Sequence, residues 1–347
     1  MPEKILFLIR SKLGDSLVSF SVVQEYAARH PDQEITALVR GNYAEIVAGE
    51  GGIHVVPYKN RLQVFLSLLA RRLFRGRFDV FAVLVGYGDI VPKLARLSGA
   101  HRRIYLDGRF AGVLPEYPPA LSMDRQVDPP WQVASLLDPA LPKPEALRME
   151  TLSTRRRGKE GGKAIGIAPL SDEKRRDMDA PTLKALLGHL AVHHPGSPLY
   201  VFLNPGDESI VSPSAPSSTL RRTFPSLPRL LDDYADLSEW YGTDTGLYHL
   251  AAASGIPCTV FFGPTQPKKN VMPRQDTRGI RLEVLGQDHC DIKSCRFAAC
   301  LHQAIINHCG IPNVVGLEPT PPECPLRRFA DDERLRNRKF LFGGETR

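Results

Sequence analysis

Two α/β halves in tandem, each a doubly wound parallel sheet, are what this sequence predicts, and three observations carry that prediction. Short apolar runs alternate with stretches of helical periodicity along most of the chain. The alternation halts across residues 139–162, where three prolines, Arg155-Arg156-Arg157-Gly158 and Gly161-Gly162 stand amid little apolar content, and then restarts. At 347 residues the chain is also long for a single core.

In the first half a strand is expected over 4–10, followed by Ser11-Lys12-Leu13-Gly14-Asp15. Leu17, Phe20, Val23, Tyr26 and Ala27 then recur at helical spacing. A strand over 34–39 leads to a helix near 43–48, one over 53–57 to a helix over 61–74, and one over 78–85 to a helix over 89–97. A fifth strand is expected over 103–106. Residues 115–130 are rich in proline and read as an irregular excursion, with a short helix over 131–137.

The second half opens with a strand over 163–168, the turn Pro169-Leu170-Ser171-Asp172-Glu173-Lys174-Arg175-Arg176 and a helix over 181–193. A strand over 199–203 ends at Asn204-Pro205-Gly206-Asp207-Glu208. After a loop over 212–218 come a helix over 227–235 and a strand over 237–241. Asp244 or Thr245 is placed to cap the next helix, which Gly255 and Pro257 terminate. Val260-Phe261-Phe262 suits a parallel strand covered on both faces. Beyond 281–285 lies a cysteine-rich region, then helices near 297–307 and 325–338.

Bulk properties narrow the class. With 42% hydrophobic and 24% charged residues the composition is that of a globular protein. No apolar run approaches the roughly 20 residues that span a bilayer. The N-terminus enters a strand without a small-residue cleavage site, so a cytoplasmic protein is expected. A net charge of +7 favours acidic partners such as phosphates or a membrane face. Five of the six cysteines follow Asp288, and in a cytosolic chain they are expected as thiols or ligands rather than disulfides. Cys290, Cys295, Cys300 and Cys309, with His289, His302 and His308, supply ligands enough for a metal. Their spacing misses the short C-x-x-C knuckle of structural zinc, so no metal is expected.

Three constellations point to chemistry. Asp15 lies between the first strand and first helix, where a carboxylate either caps the helix or takes a proton from a bound hydroxyl. The spacing around it lacks G-x-G-x-x-G, which argues against NAD. Lys174, Arg175 and Arg176 stand where Asp244-Thr245-Gly246 would oppose them, supplying the positive charge that a departing diphosphate requires. The N–H groups that open the helix after Asp244 suit an anion, Thr265 adds a hydroxyl after the Gly-Pro turn, and His249 sits one turn in. Between Lys59 and Arg109 eleven Lys and Arg face three acids. That stretch reads either as cations suiting a helix C-terminus or as a basic, partly apolar shoulder for an anionic lipid-linked acceptor. Nucleic acid is not expected, since no aromatic platform accompanies the charge.

With these residues in view, the chain resembles the family 9 glycosyltransferases, the bacterial heptosyltransferases of the lipopolysaccharide inner core. The matching pieces are Arg10-Ser11-Lys12-Leu13-Gly14-Asp15, the basic turn around Lys174, Asp244-Thr245-Gly246-Leu247-x-His249-Leu250-Ala251-Ala252, and Phe262-Gly263-Pro264-Thr265. Their order and separation agree from residue 4 to about 310.

The resemblance implies a GT-B architecture, two facing Rossmann-like domains with a cleft between them. Residues 1–150 would bind the acceptor, residues 151–324 the nucleotide sugar, and residues 325–347 form a C-terminal helix and tail. It implies an inverting, metal-independent transfer of heptose from ADP-heptose to a lipopolysaccharide inner-core sugar, without a further cofactor; on the second reading of the basic stretch the protein is peripheral at the inner face of the cytoplasmic membrane. Asp15 corresponds to the general base, with Ser11, Lys12 and Gly14 beside the acceptor. Lys174 or Arg175 corresponds to the cation on the diphosphate, Thr245 and Gly246 to its backbone contacts, Asp244 to a partner of ribose or heptose hydroxyls, and His249 to a support of that loop. A family tryptophan-proline after the basic turn is absent, Arg176-Asp177 standing instead, and the donor-contacting carboxylate is Asp207 or Glu208. Another nucleotide sugar, or a non-catalytic sugar-nucleotide-binding role, are the alternatives.

Overall fold

The computed structural model describes residues 2–47, 52–85, 90–104, 129–142, 162–223, 227–262, 281–284 and 305. The chain divides into two compact units, Met1–Thr151 and Leu152–Arg347.

Unit 1 alternates β1 (Lys4–Ile9), α1 (Leu13–Arg29), β2 (Glu34–Arg40), α2 (Gly41–Val47), β3 (His54–Tyr58), α3 (Arg61–Arg75), β4 (Val80–Val85), α4 (Val91–Ser98) and β5 (Arg102–Ile104), followed by α5 (Pro129–Ser135). Its five strands are parallel in the order β3-β2-β1-β4-β5. β1 is central because Ile5 to Ile9 is an unbroken apolar run, fully buried, which only a strand covered on both faces accommodates. Phe7 meets Tyr26 of α1 edge to face at 5.5 Å. α3 starts at a reciprocal cap: Asn60 accepts from the Gln63 N–H at 2.9 Å, and the Gln63 side chain accepts from the Lys59 N–H at 2.8 Å.

Unit 2 continues with β6 (Ala164–Ala168), a 3₁₀ turn at Lys174–Arg176, α6 (Ala180–His193), β7 (Leu199–Leu203), β8 (Thr219–Thr223), α7 (Leu227–Ala235), β9 (Leu237–Thr243), α8 (Gly246–Ala253), β10 (Cys258–Phe262) and β11 (Arg281–Val284). The six strands are parallel in the order β11-β10-β9-β6-β7-β8. Its core gathers Ile165 and Ile167 with Leu183, Leu186, Leu187 and Leu190 of α6. Trp240 is fully buried because Gly166 and Gly242 leave room for its ring.

In each sheet the chain starts at a central strand, moves out one way, then returns to build the other side. The reversal lies between β1 and β4 in unit 1 and between β6 and β9 in unit 2. Among the described residues the expected elements form with small shifts at their ends, and one strand went unforeseen. β8, Thr-Leu-Arg-Arg-Thr, is a polar edge strand with Leu220 45% exposed. It is held by its register with β7, by Arg222 stacked 4.1 Å over the Tyr200 ring, and by the Arg222–Asp233 pair at 3.7 Å. Charge on an edge strand also blocks further pairing. The helices expected near 297–307 and 325–338, with the cysteine-rich region, lie outside the described residues, save the buried Ile305.

Candidate functional site in the second unit

Loops leaving adjacent strands on either side of a reversal diverge to opposite faces of the sheet and leave a crevice at the carboxyl ends. In unit 2 those loops follow β6 and β9. The first is closed on itself: the Asp177 carboxylate accepts from the Ser171 N–H at 2.7 Å, and the Met178 N–H donates to the Pro169 carbonyl at 2.8 Å. Asp179 then caps α6, accepting from the Thr182 N–H at 2.8 Å.

Between those anchors the 3₁₀ turn carries Arg176 to the second loop. Arg176 Nη1 donates to the Asp244 carbonyl oxygen at 3.3 Å and lies 3.1 Å from Asp244 Oδ2, while Nη2 lies 3.3 Å from Glu173 Oε1. The Asp244 side chain is only 4% exposed and that of Arg176 20%, so the pair is largely withdrawn from water. A charge buried that far requires a partner of opposite sign.

Thr245 is the cap of α8: its hydroxyl accepts from the Leu247 N–H at 3.0 Å. This resolves the choice between Asp244 and Thr245 in favour of Thr245, while Asp244 meets Arg176. From behind, the Tyr234 hydroxyl donates to the Leu247 carbonyl at 3.0 Å, and complete burial holds that phenol well above its ordinary range. The opening turn of α8 is thereby fixed from two sides. Its N–H groups have no upstream helical carbonyl to bond, which makes such a terminus a donor of hydrogen bonds to anions.

The end of β7 lies within electrostatic reach of the same rim. Asp177 is pushed above its usual range, first by burial and further by Asp207 and Asp172, against the Ser171 N–H and the Lys174 ammonium. Asp207 accepts from the Asn204 side chain at 3.1 Å, and Glu208 from the Gly206 N–H at 3.0 Å. Both carboxylates are thus tied into their own loop.

The other sequence expectations distribute as follows. Asp244, Thr245, Gly246 and His249 form one continuous stretch, with the half-buried His249 ring 4.3 Å from that of Tyr248. Lys174 is exposed, and the side chain of Arg175, like Thr265, lies outside what the structure describes. In unit 1 Asp15 is exposed in the first turn of α1, where it accepts a hydrogen bond from the Ser11 hydroxyl. It is not the cap: that position is Lys12, extended and without a capping bond from its side chain, and Gly14 is buried just inside the helix. Tyr234 escaped the sequence reading as a member of the site, having the signature of an ordinary core aromatic, and Arg176 entered it only as one of three adjacent cations with nothing to single it out.

No family model matches the chain, and no curated protein matches it by sequence. Solved structures do. A glycosyltransferase family 9 protein from Veillonella parvula superposes over 88% of this chain and 95% of its own, with a TM-score of 0.68 and 14% identity. An E. coli ADP-heptose lipopolysaccharide heptosyltransferase II covers 88% of this chain and 99% of its own, at a TM-score of 0.62 and 17% identity. The E. coli heptosyltransferase WaaC with ADP-2-deoxy-2-fluoro heptose gives the same coverages and TM-score at 15% identity. At such identities the likeness speaks for the fold, and on that ground the chain has the two-unit parallel α/β fold of the GT-B class.

Proposed function

We propose that this protein is an inverting, metal-independent heptosyltransferase that moves heptose from ADP-heptose to an anionic, lipid-linked lipopolysaccharide inner-core sugar. The observation that carries the reading is the Arg176–Asp244 pair beside the Thr245-capped terminus of α8. A guanidinium and a helix N-terminus at a reversal point together suit a diphosphate, the leaving group of such a transfer. The fold shared with the E. coli heptosyltransferases supports the same donor class.

In this reading unit 2 holds the donor. Arg176, assisted by Lys174 and the Thr245–Gly246 backbone, takes up the charge that develops on ADP as the bond to the sugar's anomeric carbon breaks. Asp244 then faces ribose or heptose hydroxyls, and His249 steadies its loop. Unit 1 supplies the base: the acceptor hydroxyl attacks from the face opposite ADP, its proton passes to Asp15, and the anomeric configuration inverts. Ser11, Lys12 and Gly14 line the acceptor side. Positioned bases of this kind are worth about 10²–10⁴ in rate.

The test pairs binding with turnover. Thermal stabilisation is measured against ADP-, UDP- and GDP-sugars, and ADP release is followed with a lipopolysaccharide-core acceptor. The expected result is concentration-dependent stabilisation by ADP-heptose alone, and an Asp15→Asn variant that binds it normally yet turns over about 10²-fold more slowly. Stabilisation by another nucleotide sugar would replace the donor. Intact donor binding without transfer by the wild-type protein would leave a sugar-nucleotide-binding protein.

A further inference from the structure

We propose that α3 of unit 1 is a docking surface for an anionic lipid bilayer, seated through an outward leucine stripe. The helix is apolar on two opposed faces. Val64 and Leu68 are buried against the sheet, with Phe65 packed beside them. Leu62, Leu66, Leu69 and Leu73 recur at intervals of four, three and four residues, which puts them on one face. At 3.6 residues per turn that face lies roughly half a turn from Val64 and Leu68. These four side chains are 43–71% exposed, and Phe74 at the helix end is 85% exposed.

Single exposed apolar residues are ordinary, but a concentrated patch marks an interaction site. Five of the seven large hydrophobic side chains exposed among the described residues sit on this one helix. The intrahelical pairs that would keep such a face in water are absent from its sequence: no Asp or Glu occurs between Lys59 and Phe78. Lys59, Arg61, Arg72 and Arg77 are exposed around the stripe. Arg71 is the exception, turned inward to pair with Glu34 and to lie 4.6 Å over the Phe78 ring.

Charge decides the occupant. A second copy meeting this one through the same face would set arginine against arginine. An anionic headgroup layer offers phosphates to the arginines and hydrocarbon to the leucines at once. Fifteen residues reach about 22 Å, short of the ~30 Å hydrocarbon core, so the helix lies in the membrane plane rather than across it. None of the described helices is long and apolar enough to span. α3 alone carries this surface, whatever unit 2 binds.

The full chain is sedimented with vesicles of phosphatidylglycerol and phosphatidylcholine, or of phosphatidylcholine alone, at low and high salt. Partition onto the anionic vesicles is expected to exceed that onto neutral ones by about ten-fold and to fall with salt. Leu66→Asp/Leu73→Asp should lower it about ten-fold, as should Arg61→Glu/Arg72→Glu, with circular dichroism and melting unchanged because these side chains face solvent. Absence of partition overturns the proposal, and so does partition that survives the leucine exchange. Light scattering provides the remaining outcome: a dimer that Leu66→Asp/Leu73→Asp converts to monomer would make the stripe a contact between copies and overturn lipid docking.

Discussion

Arg176 and Asp244 join the two loops that part at the reversal of the second sheet, the guanidinium reaching both the carbonyl and the carboxylate of Asp244. The pair fixes the distance between those loops in the free protein. It also presents a cation that an incoming diphosphate would share with Asp244, so stability and ligand affinity are linked through one side chain.

Arg176→Ala should therefore do two things. It leaves the Asp244 carboxylate buried without its counter-ion. Breaking a buried pair costs about 3–5 kcal/mol, and the partial exposure of Arg176 brings the expectation to about 2–4 kcal/mol. Urea unfolding followed at Trp240 measures that loss. Arg176→Lys should recover part of the stability but not the two-pronged contact, because an ammonium is a point charge and a guanidinium a fork. ADP affinity should fall with both substitutions, further for alanine. Unchanged ADP affinity in Arg176→Ala would return the diphosphate to Lys174 or Arg175.

Tyr234→Phe isolates the support behind α8. The ring keeps its packing while the bond to the Leu247 carbonyl is lost. A neutral buried hydrogen bond contributes about 0.5–1.5 kcal/mol net, so a loss in that range is expected in chemical denaturation. Calorimetric titration with ADP should show affinity reduced a few-fold, about the factor that the same energy corresponds to. A stability loss with no change in ADP binding would confine Tyr234 to packing.

How much of this was legible in the sequence follows from which signals are local. β1 and β10 could be read because an unbroken apolar run belongs in a doubly covered parallel strand, and α8 because a capping residue precedes it and Gly255 and Pro257 end it. β8 could not, since Thr219 to Thr223 has no buried face and is a strand only through β7. The Asp244-Thr245-Gly246 stretch was readable as a helix start at a strand end. The selection of Arg176 from three consecutive cations was not. It depends on Asp177 folding back to Ser171 and Met178 anchoring to Pro169, contacts that orient the turn and have no periodic trace. In the same way α3 announced its leucines by spacing, but only accessibility separates the face buried by Val64 and Leu68 from the one left in water.

Asp177 gives the rim a pH signature. Its carboxyl titrates above the ordinary value of 3.8 because burial penalises the charged form more than the Ser171 N–H and Lys174 favour it. A raised folded-state value means the ionised group opposes folding at neutral pH, and the opposition is relieved as pH falls through that value. Asp177→Asn, whose amide oxygen still accepts from Ser171, should be the more stable protein at pH 7. Its advantage should shrink as pH falls towards 3.8. Urea midpoints across that range check the sign; a variant less stable at pH 7 would mean that Lys174 outweighs burial.

Two glycines around Trp240 separate a hard obstacle from a soft one. A β-carbon on Gly242 would stand 2.5 Å from the Ala168 carbonyl oxygen and 2.6 Å from the Trp240 ring, both fixed by the β6–β9 pairing. On Gly166 the nearest atom, at 2.7 Å, is the far end of the Leu237 side chain rather than backbone, with the Trp240 ring next at 3.1 Å. Overpacking a tight core costs about 1–3 kcal/mol, so Gly166→Ala should fall at the lower end and Gly242→Ala at or above the upper. In melting temperature that is roughly 2–4 °C per kcal/mol for a domain of this size. Gly242 also lies two residues before Asp244, so its alanine variant should move the loop that meets Arg176 and weaken ADP binding, whereas Gly166→Ala should leave affinity near wild type. Equal losses of stability and of affinity in the two variants would mean that β6 and β9 yield together, and that the Arg176–Asp244 contact is less rigidly framed than the packing around Trp240 requires.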